Sequence, residues 1–380
     1  MLNHIIKIHI VLVANTLWSI YNFRKGIIKD FLNKGYKVTI IGPDDRYTDK
    51  LKALGCEVEC VAVSSQGKNP LIDLLLIFRL RNIYKRINPD FIFHYTIKPN
   101  IYGSIAAGLS GNKSIAITTG LGYAFNKSSV FTKMISSLYS FAFKFAMEVW
   151  FLNEDDKSIF VDKKIINIEK AFVLDGEGVD TDFFSPVSCE VSDNSKPITF
   201  LLVSRMLWDK GVGVYVEAAR KIKIEYPNVK FQLLGACDVE NPSAISRDII
   251  DSWHSEGVIE YLGVTNDVRT NVSETDCIVL PSYYREGIPR TLMEAAAMGK
   301  PIITTDNVGC RNVVIDCKTG FLCEVKNADS LAQSMRNIIN MEPVERLAMG
   351  LKGREYMISR FDEKVIIADY HNVLKKYLTF

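Results

Sequence analysis

The chain of 380 residues contains no run of 18 or more apolar residues, so no membrane-spanning helix is expected. No secretory leader is expected either: Lys7 and His9 interrupt the apolar stretch from Ile5 to Ala14, and no cleavage-like segment follows. Eight cysteines stand at 56, 60, 189, 237, 277, 310, 317 and 323 without forming a Cys-x-x-Cys pair, and there are only five histidines, which argues against a zinc site. Several cysteines lie in apolar stretches, as in Asp276-Cys277-Ile278-Val279-Leu280, and read as small core residues in a reducing cytoplasm. Net charge is almost absent: 46 Lys and Arg against 44 Asp and Glu leave +2, which gives no general attraction for nucleic acid. Short repeats and low-complexity tracts are lacking.

What is there is a globular composition, 48% hydrophobic and 24% charged, which excludes wholesale disorder. At about 100–200 residues per domain, the length suits two to four domains. Charge is unevenly spread. Residues 1–185 hold 23 basic and 18 acidic side chains, and the remainder holds 23 and 26. The first half is therefore the one able to face an anionic surface, although uneven solvated faces account for the count equally well.

Apolar runs of strand length alternate with helical patterns. Ile8 to Val13 opens the chain, Asn22 to Asn33 reads as a helix ending at Lys34-Gly35, and Tyr36 to Ile41 reads as a strand stopped by Gly42-Pro43. Phe91 to His94 and Ser114 to Thr118 are further strands. A polar, turn-rich break follows at Ser185 to Ser188 and Asp193 to Pro197. The rhythm restarts with Ile198 to Val203, Lys230 to Leu234, Val258 to Leu262, Cys277 to Leu280 and Pro301 to Thr304, and ends on an amphipathic helix, Glu363 to Tyr377. Continuous apolar strands separated by helices imply parallel sheets covered on both faces. The expected class is α/β, with two doubly wound domains facing a cleft. Residues 1–185 form the first, with the helix of 363–380 packing back on it, and 186–362 form the second. Ligands of such sheets bind at the carboxyl ends of the strands.

Two stretches there carry chemistry. In Tyr284-Arg285-Glu286-Gly287-Ile288-Pro289-Arg290-Thr291-Leu292-Met293-Glu294, Pro289 suits a first helical turn. Glu286 then sits in the loop before the helix, and Glu294 about one and a half turns inside it. The free N–H groups and positive end of that helix suit an anion, and two carboxylates beside them suit sugar hydroxyls. The competing reading makes Glu286 a helix cap and Glu294 a solvated helix residue. In Val203-Ser204-Arg205-Met206-Leu207-Trp208-Asp209-Lys210-Gly211, Arg205 and Lys210 fall on a loop between strand and helix. A guanidinium fork and an ammonium there suit a diphosphate, or are simply exposed loop cations.

Taken together, these stretches resemble the retaining glycosyltransferases of family 4, which have the two-domain GT-B fold. The likeness rests on Glu286 and Glu294 in Glu-x7-Glu, on Ser204-Arg205-x4-Lys210-Gly211, on Gly176 to Pro186, and on Met298-Gly299-Lys300-Pro301-Ile302-Ile303-Thr304. Thr96-Ile97-Lys98-Pro99-Asn100-Ile101-Tyr102-Gly103 and Thr119-Gly120-Leu121-Gly122-Tyr123 look like a bacterial subgroup. Its members add hexoses or N-acetylhexosamines to polyprenyl-diphosphate-linked sugars for O-antigen, capsule or protein-linked glycans. Where the family often has a Gly-Gly loop after the first strand, this chain has Asn15-Thr16-Leu17-Trp18-Ser19.

The resemblance implies roles. Arg205 and Lys210 neutralise the donor diphosphate, Glu286 holds the transferred sugar, and His94 lies near it. Glu294 accepts from the uridine ribose, with Gly287, Ile288, Pro289 and Asn15 also on the donor side. Lys98 and Asn100 are assigned to the acceptor, Lys98 to its diphosphate. His94 could equally be a histidine satisfied at a sheet edge. The donor is a UDP-sugar, and no metal is expected, since Arg205 and Lys210 already supply positive charge. Asp180-Thr181-Asp182 spells Asp-x-Asp but lies in an interdomain loop, and Gly120-Leu121-Gly122 lacks the third glycine of a dinucleotide fingerprint.

Two stretches mix greasy and basic residues: Leu71 to Arg86 and Val130 to Phe151. Either could lie on an anionic leaflet or be a half-buried helix over the first sheet. With a lipid-linked acceptor, the expected location is the cytoplasm, peripheral on the inner face of the cell membrane. Two other functions fit the same fold: a UDP-N-acetylglucosamine 2-epimerase, and a catalytically silent binding lobe of a glycan-assembly complex.

Overall fold

The computed structural model describes residues 7–63, 70–121, 130–187 and 196–378. Among them the chain forms two compact units, residues up to 178 together with the segment from 363 onward, and residues 179–362.

The first unit holds strands β1 (His9–Val13), β2 (Lys37–Gly42), β3 (Glu57–Cys60), β4 (Phe91–Tyr95), β5 (Ser114–Thr118), β6 (Glu148–Phe151) and β7 (Ala171–Val173). They pair in parallel in the order β3-β2-β1-β4-β5-β6-β7. β1, β4, β5 and β6 are buried along their whole length, which is why their sequences are apolar runs rather than alternations. β3 closes one edge and exposes Glu57 and Cys60, a charge that discourages pairing with another chain. The chain leaves β1 toward β2 and β3, then returns to place β4 on the other side of β1. The carboxyl ends of β1 and β4 therefore flank the point where the winding reverses.

The helices of this unit are α1 (Leu17–Phe23), α2 (Lys25–Asn33), α3 (Thr48–Ala53), α4 (Pro70–Ile87), α5 (Ser104–Ser110), α6 (Val130–Ala142) and α7 (Glu154–Asp162). A π-helical turn, Pro99–Gly103, precedes α5. The single helix expected over 22–33 is two helices that meet at Arg24. The reason is a buried guanidinium. Arg24 is 4% exposed, donates to the Ser19 carbonyl at 3.0 Å, pairs with Glu177 and stacks 4.1 Å from the Tyr95 ring. The stretch Val130 to Phe151 is also divided: α6 ends at Ala142, and Glu148–Phe151 is an interior strand that cannot lie on a membrane.

The second unit holds β8 (Thr199–Val203), β9 (Lys230–Leu234), β10 (Glu260–Tyr261), β11 (Cys277–Leu280), β12 (Ile302–Thr305) and β13 (Gly320–Cys323), in the order β10-β9-β8-β11-β12-β13. Its helices are α8 (Val212–Glu225), α9 (Arg247–Ser255), α10 (Arg269–Ser273), α11 (Arg290–Ala297), α12 (Ala328–Asn340) and α13 (Pro343–Arg360). The strand expected over 258–262 shrinks to Glu260–Tyr261, because at the sheet edge it has β9 alone to pair with. The break expected at 193–197 lies mostly outside the described residues.

A last helix, α14 (Glu363–Tyr377), belongs to the first unit. Tyr370 is buried with its ring 4.9 Å from Phe93 and its hydroxyl 3.0 Å from that of Tyr95. Lys376 and Tyr377 reach Glu148 at 2.6 and 3.0 Å.

Removing Arg24 leaves Glu177 largely buried without its cation. Arg24→Ala is expected to cost about 3–5 kcal/mol of stability, read as a lower urea midpoint for the full chain. A midpoint within the error of the parent's would show the pair to be dispensable.

Candidate functional site

In the second unit, the loop after β8 and the loop after β11 meet at the carboxyl edge of the sheet. The Lys210 ammonium lies 2.5 Å from Glu286 Oε1, and Ser282 donates to the same oxygen at 2.9 Å. Both members of the ion pair are mostly buried, at 16% and 11% side-chain exposure. Arg205, five residues before Lys210 on the same loop, is exposed and makes none of the ion pairs found among the described residues.

The loops are held by a hub that the sequence did not announce. The Asp209 carbonyl accepts from the Tyr283 and Tyr284 amides at 2.9 and 3.0 Å and from the Ser282 hydroxyl at 3.2 Å. Thr305 and Asn307, after β12, donate to the Ser282 carbonyl, and Asn307 also donates to that of Tyr284 at 2.9 Å. Two glycines let the loops close up. A Cβ on Gly211 (φ 78°) would stand 2.0 Å from the Pro281 carbonyl oxygen, and one on Gly309 (φ 78°) 2.3 Å from that of Gly287. Ser282, Thr305 and Asn307 are ordinary polar residues at strand ends. Their only signal was position on the carboxyl edge.

Helix α11 starts immediately after this loop. Pro289 is its N-cap, one residue earlier than the first-turn position expected, and its carbonyl accepts from the Leu292 and Met293 amides. Gly287 and Ile288 are part-exposed and Pro289 is buried. Glu294 faces Arg290 one turn before it at 2.9 Å. Burial raises the Glu294 pKa above the usual carboxylate range, while Arg290 opposes the rise. The structure thus pairs Lys210 with Glu286 and gives Glu294 a different partner.

The first-unit residues are distributed otherwise. His94 is fully buried, with its Nε2 3.0 Å from the Tyr84 hydroxyl and its Nδ1 3.5 Å from that of Ser104. A Cβ on Gly103 would touch its ring, so the ring packs directly against the π-helical turn. Desolvation lowers its pKa to about 3, which keeps it neutral. A ring so enclosed does not present itself to a sugar within its own unit; its packing supports the turn that follows Lys98. Lys98 pairs with Asp73 at 2.7 Å, and Asp73 also accepts from Tyr102 at 3.0 Å. Asn100 is 1% exposed and donates to the Ile117 carbonyl at 2.9 Å. Asn15 is part-exposed just after β1. Leu121 is buried, whereas Gly122 and Tyr123 lie outside the described residues. In Asp180-Thr181-Asp182, the Asp180 carboxylate accepts from the amides of Asp182 and Phe183 and closes its own turn, and Thr181 bonds Asp362.

Two parallel-sheet units, each with its chemistry-bearing loops at the carboxyl edge, have the architecture of the GT-B class. Residues 9–153 match the model of the 4-like glycosyl transferases, and residues 190–356 match that of the group 1 glycosyl transferases. The N,N'-diacetylbacillosaminyl-diphospho-undecaprenol alpha-1,3-N-acetylgalactosaminyltransferase of Campylobacter jejuni is 32% identical over 367 residues, covering 93% of this chain and 94% of its own. The UDP-Gal:alpha-D-GlcNAc-diphosphoundecaprenol alpha-1,3-galactosyltransferase of Escherichia coli is 26% identical, covering 69% and 70%. A crystal structure of a glycosyltransferase from Rickettsia africae superposes with a TM-score of 0.81 at 22% identity, covering 98% of this chain and 99% of its own. The chain belongs to family 4 of the glycosyltransferases.

His94 supplies a pH prediction. Its folded pKa lies near 3 against 6.5 for the free side chain, so only the unfolded chain takes up the proton in between. The stability His94 confers is complete above about pH 6.5 and is lost as the pH falls toward 3, at about 1.4 kcal/mol per pH unit. Urea midpoints at pH 4.5, 5.5 and 7.5 should therefore fall less steeply with acid in His94→Asn than in the parent. Equal slopes would mean that the folded protein protonates His94.

Proposed function

We propose that the chain transfers an N-acetylhexosamine or hexose from a UDP-sugar to a polyprenyl-diphosphate-linked saccharide, with retention, in surface-glycan assembly. The observation that carries this reading is the Lys210–Glu286 pair, which joins the loop after β8, where Arg205 is exposed, to the loop that leads into helix α11. Both relatives named above act on diphospho-undecaprenol-linked sugars and form alpha linkages, and the one 32% identical transfers N-acetylgalactosamine, which favours an N-acetylhexosamine here. The galactosyltransferase relative takes UDP-Gal, which supports a uridine nucleotide.

Transfer breaks the bond between the sugar's anomeric carbon and the phosphate oxygen and forms one from that carbon to the acceptor hydroxyl. Negative charge grows on the departing diphosphate, and cations already in place stabilise it most as it develops. Arg205 and Lys210 are the cations, and the first amides of α11 add dipoles aimed the same way. Glu286 holds Lys210 and takes hydroxyls of the transferred sugar, near the positive charge that builds on its anomeric carbon. The acceptor proton leaves on the departing phosphate oxygen, on the same face, which yields retention. Glu294 accepts from the ribose, with Gly287, Ile288 and Pro289 alongside. Asn15 belongs to the donor side; Lys98 and Asn100 belong to the acceptor side, Lys98 sharing its charge between Asp73 and the diphosphate.

A membrane partner follows from the acceptor. Between residues 70 and 147 the chain has nine basic and two acidic side chains. Leu74, Leu75 and Phe78 on α4 and Met134 and Phe141 on α6 are each 51–53% exposed. Arg79, Lys85 and Arg86 lie exposed further along α4, and Lys133 lies exposed on α6. Apolar side chains flanked by cations suit the surface of an anionic leaflet. Among the described residues no helix is long and apolar enough to cross a membrane.

The decisive assay offers a panel of UDP-sugars with polyprenyl-diphosphate-linked mono- and disaccharides, read by mass spectrometry. One sugar should be added to one acceptor, and UDP-N-acetylglucosamine alone should give no manno isomer. Glu286→Gln should lower the rate by about 10²–10³-fold, and Glu294→Gln should raise the donor KM with the acceptor KM unchanged. No transfer across the panel, or an unimpaired Glu286→Gln, would reject the reading. The parent should also sediment with anionic vesicles at low salt and release them in high salt, and Phe78→Glu should bind less. Indifference to anionic vesicles would reject the membrane partner.

A further inference from the structure

A cavity of about 460 Å³ lies at the amino edge of the second sheet, the edge opposite the loops of Lys210 and Glu286. The segment leading into β8, Lys196 to Ile198, forms one wall, and the segment leading into β9, Tyr226 to Val229, forms the next. The turn from α12 into α13 closes it, with Arg346 on the first turns of α13. The whole of β8, Thr199–Val203, separates this cavity from the loop of Arg205 and Lys210, a distance of about 17 Å. The volume falls within the range of small-molecule sites, roughly 300–1,000 Å³.

The unusual group in its wall is Arg346, which is 7% exposed. Its Nη1 donates to the Met341 carbonyl at 2.5 Å, but Nε has no partner, and Nη2 makes none of the hydrogen bonds found among the described residues. Nε is sealed, so the part of the guanidinium left to meet a ligand is Nη2. A buried guanidinium is costly unless an acid compensates it, as Glu177 does for Arg24 in the first unit. Arg346 has no such acid: it enters none of the ion pairs found among the described residues, and neither does exposed Lys196 across the cavity. The acids nearby are committed elsewhere. Glu225 holds Arg336 through bonds of 2.9 and 2.6 Å, Asp276 accepts from the Thr199 amide at 2.9 Å, and Glu342 and Glu345 form the capping box of α13. That box already satisfies the helix start, so the attraction for an anion comes from the two side chains and not from the helix end.

We infer that this cavity binds a small organic anion, one phosphate or carboxylate group on an apolar body, with the anionic group held between Arg346 and Lys196. The chemistry of the lining selects it. A guanidinium and an ammonium only donate, so the ligand must bring acceptors, and a negative charge supplies what Arg346 lacks. Ile198, Tyr226, Ile339 and Met341 are each part-buried around the cavity and offer apolar surface to the rest of the ligand. Tyr226 is held in place by its hydroxyl, which donates to Asn340 at 3.2 Å. The cavity and the Lys210–Glu286 pair stand at opposite ends of β8, so this ligand does not compete with a nucleotide, and its binding does not rest on the proposed function.

The experiment uses the full-length chain, with phenyl phosphate and benzoate as probes, inorganic phosphate and benzyl alcohol as controls, and UDP as competitor. Binding is read by ligand-observed NMR and by thermal unfolding. At least one of the two organic anions should bind, more tightly than inorganic phosphate, and raise the Tm, since it binds the folded chain alone. Benzyl alcohol should not bind. Which anion binds decides between a phosphate ester and a carboxylic acid as the natural class, and either supports the proposal. Saturating UDP should leave the probe in place. Lys196→Glu, a surface change, should weaken binding about tenfold, and Arg346→Gln at least as much, the size expected for a lost charge-assisted hydrogen bond. Should Arg346→Gln fail to fold, Lys196→Glu and the UDP competition decide. Failure of both anions to bind overturns the proposal, as does binding that Lys196→Glu leaves unchanged. Binding no tighter than that of inorganic phosphate means an adventitious ion only, and displacement by UDP assigns the probe to the donor site; each overturns the proposal too.

Discussion

A parallel strand cannot be followed directly by its neighbour; the chain must cross back over the sheet before the next strand begins. That constraint organises both units. It covers each sheet with helices, makes β1, β4, β5, β8 and β11 almost wholly apolar, and delivers every strand-to-helix loop to one edge. Helix starts bring free amides and partial positive charge to that edge. In the second unit the edge collects Arg205, Lys210, Glu286 and the start of α11; in the first it collects Asn15, Lys98 and Asn100.

Polar groups inside the fold divide by whether they are satisfied. Arg24 is held by Glu177, Tyr95 and the Ser19 carbonyl, and Lys98 by Asp73. His94, with Tyr84 and Ser104 at its ring nitrogens, stays neutral because a proton there has no solvent to stabilise it. These groups fix the chain around the first sheet. The Arg346 guanidinium, only partly satisfied beside its cavity, opposes stability instead, and such a sacrifice is common where binding is required.

Much of the fold was legible because hydrophobic periodicity reports burial. Strands such as Ser114–Thr118 and Lys230–Leu234 and the helix from Glu363 to Tyr377 sit where the pattern puts them. The helix break at Arg24 was not legible: nothing local marks it, and its partner Glu177 lies 153 residues away. β6 was hidden inside a greasy stretch because a buried strand and a helix face have the same composition when the run is short. Of the candidate site, Lys210 and Glu286 could be named from their motifs, but not the Asp209 carbonyl, Ser282, Thr305 and Asn307 that hold their loops.

By itself the sequence determined the α/β class, the family, and which residue types stand at the strand ends, because those depend on order and spacing along the chain. Tertiary structure decided the partners: that Lys210 goes to Glu286, that Lys98 goes to Asp73, and that His94 is sealed beneath a π-helical turn. The physical reason is that hydrogen bonds and desolvation act across distances of a few ångströms between residues far apart in the chain, and only the packed sheets bring them together.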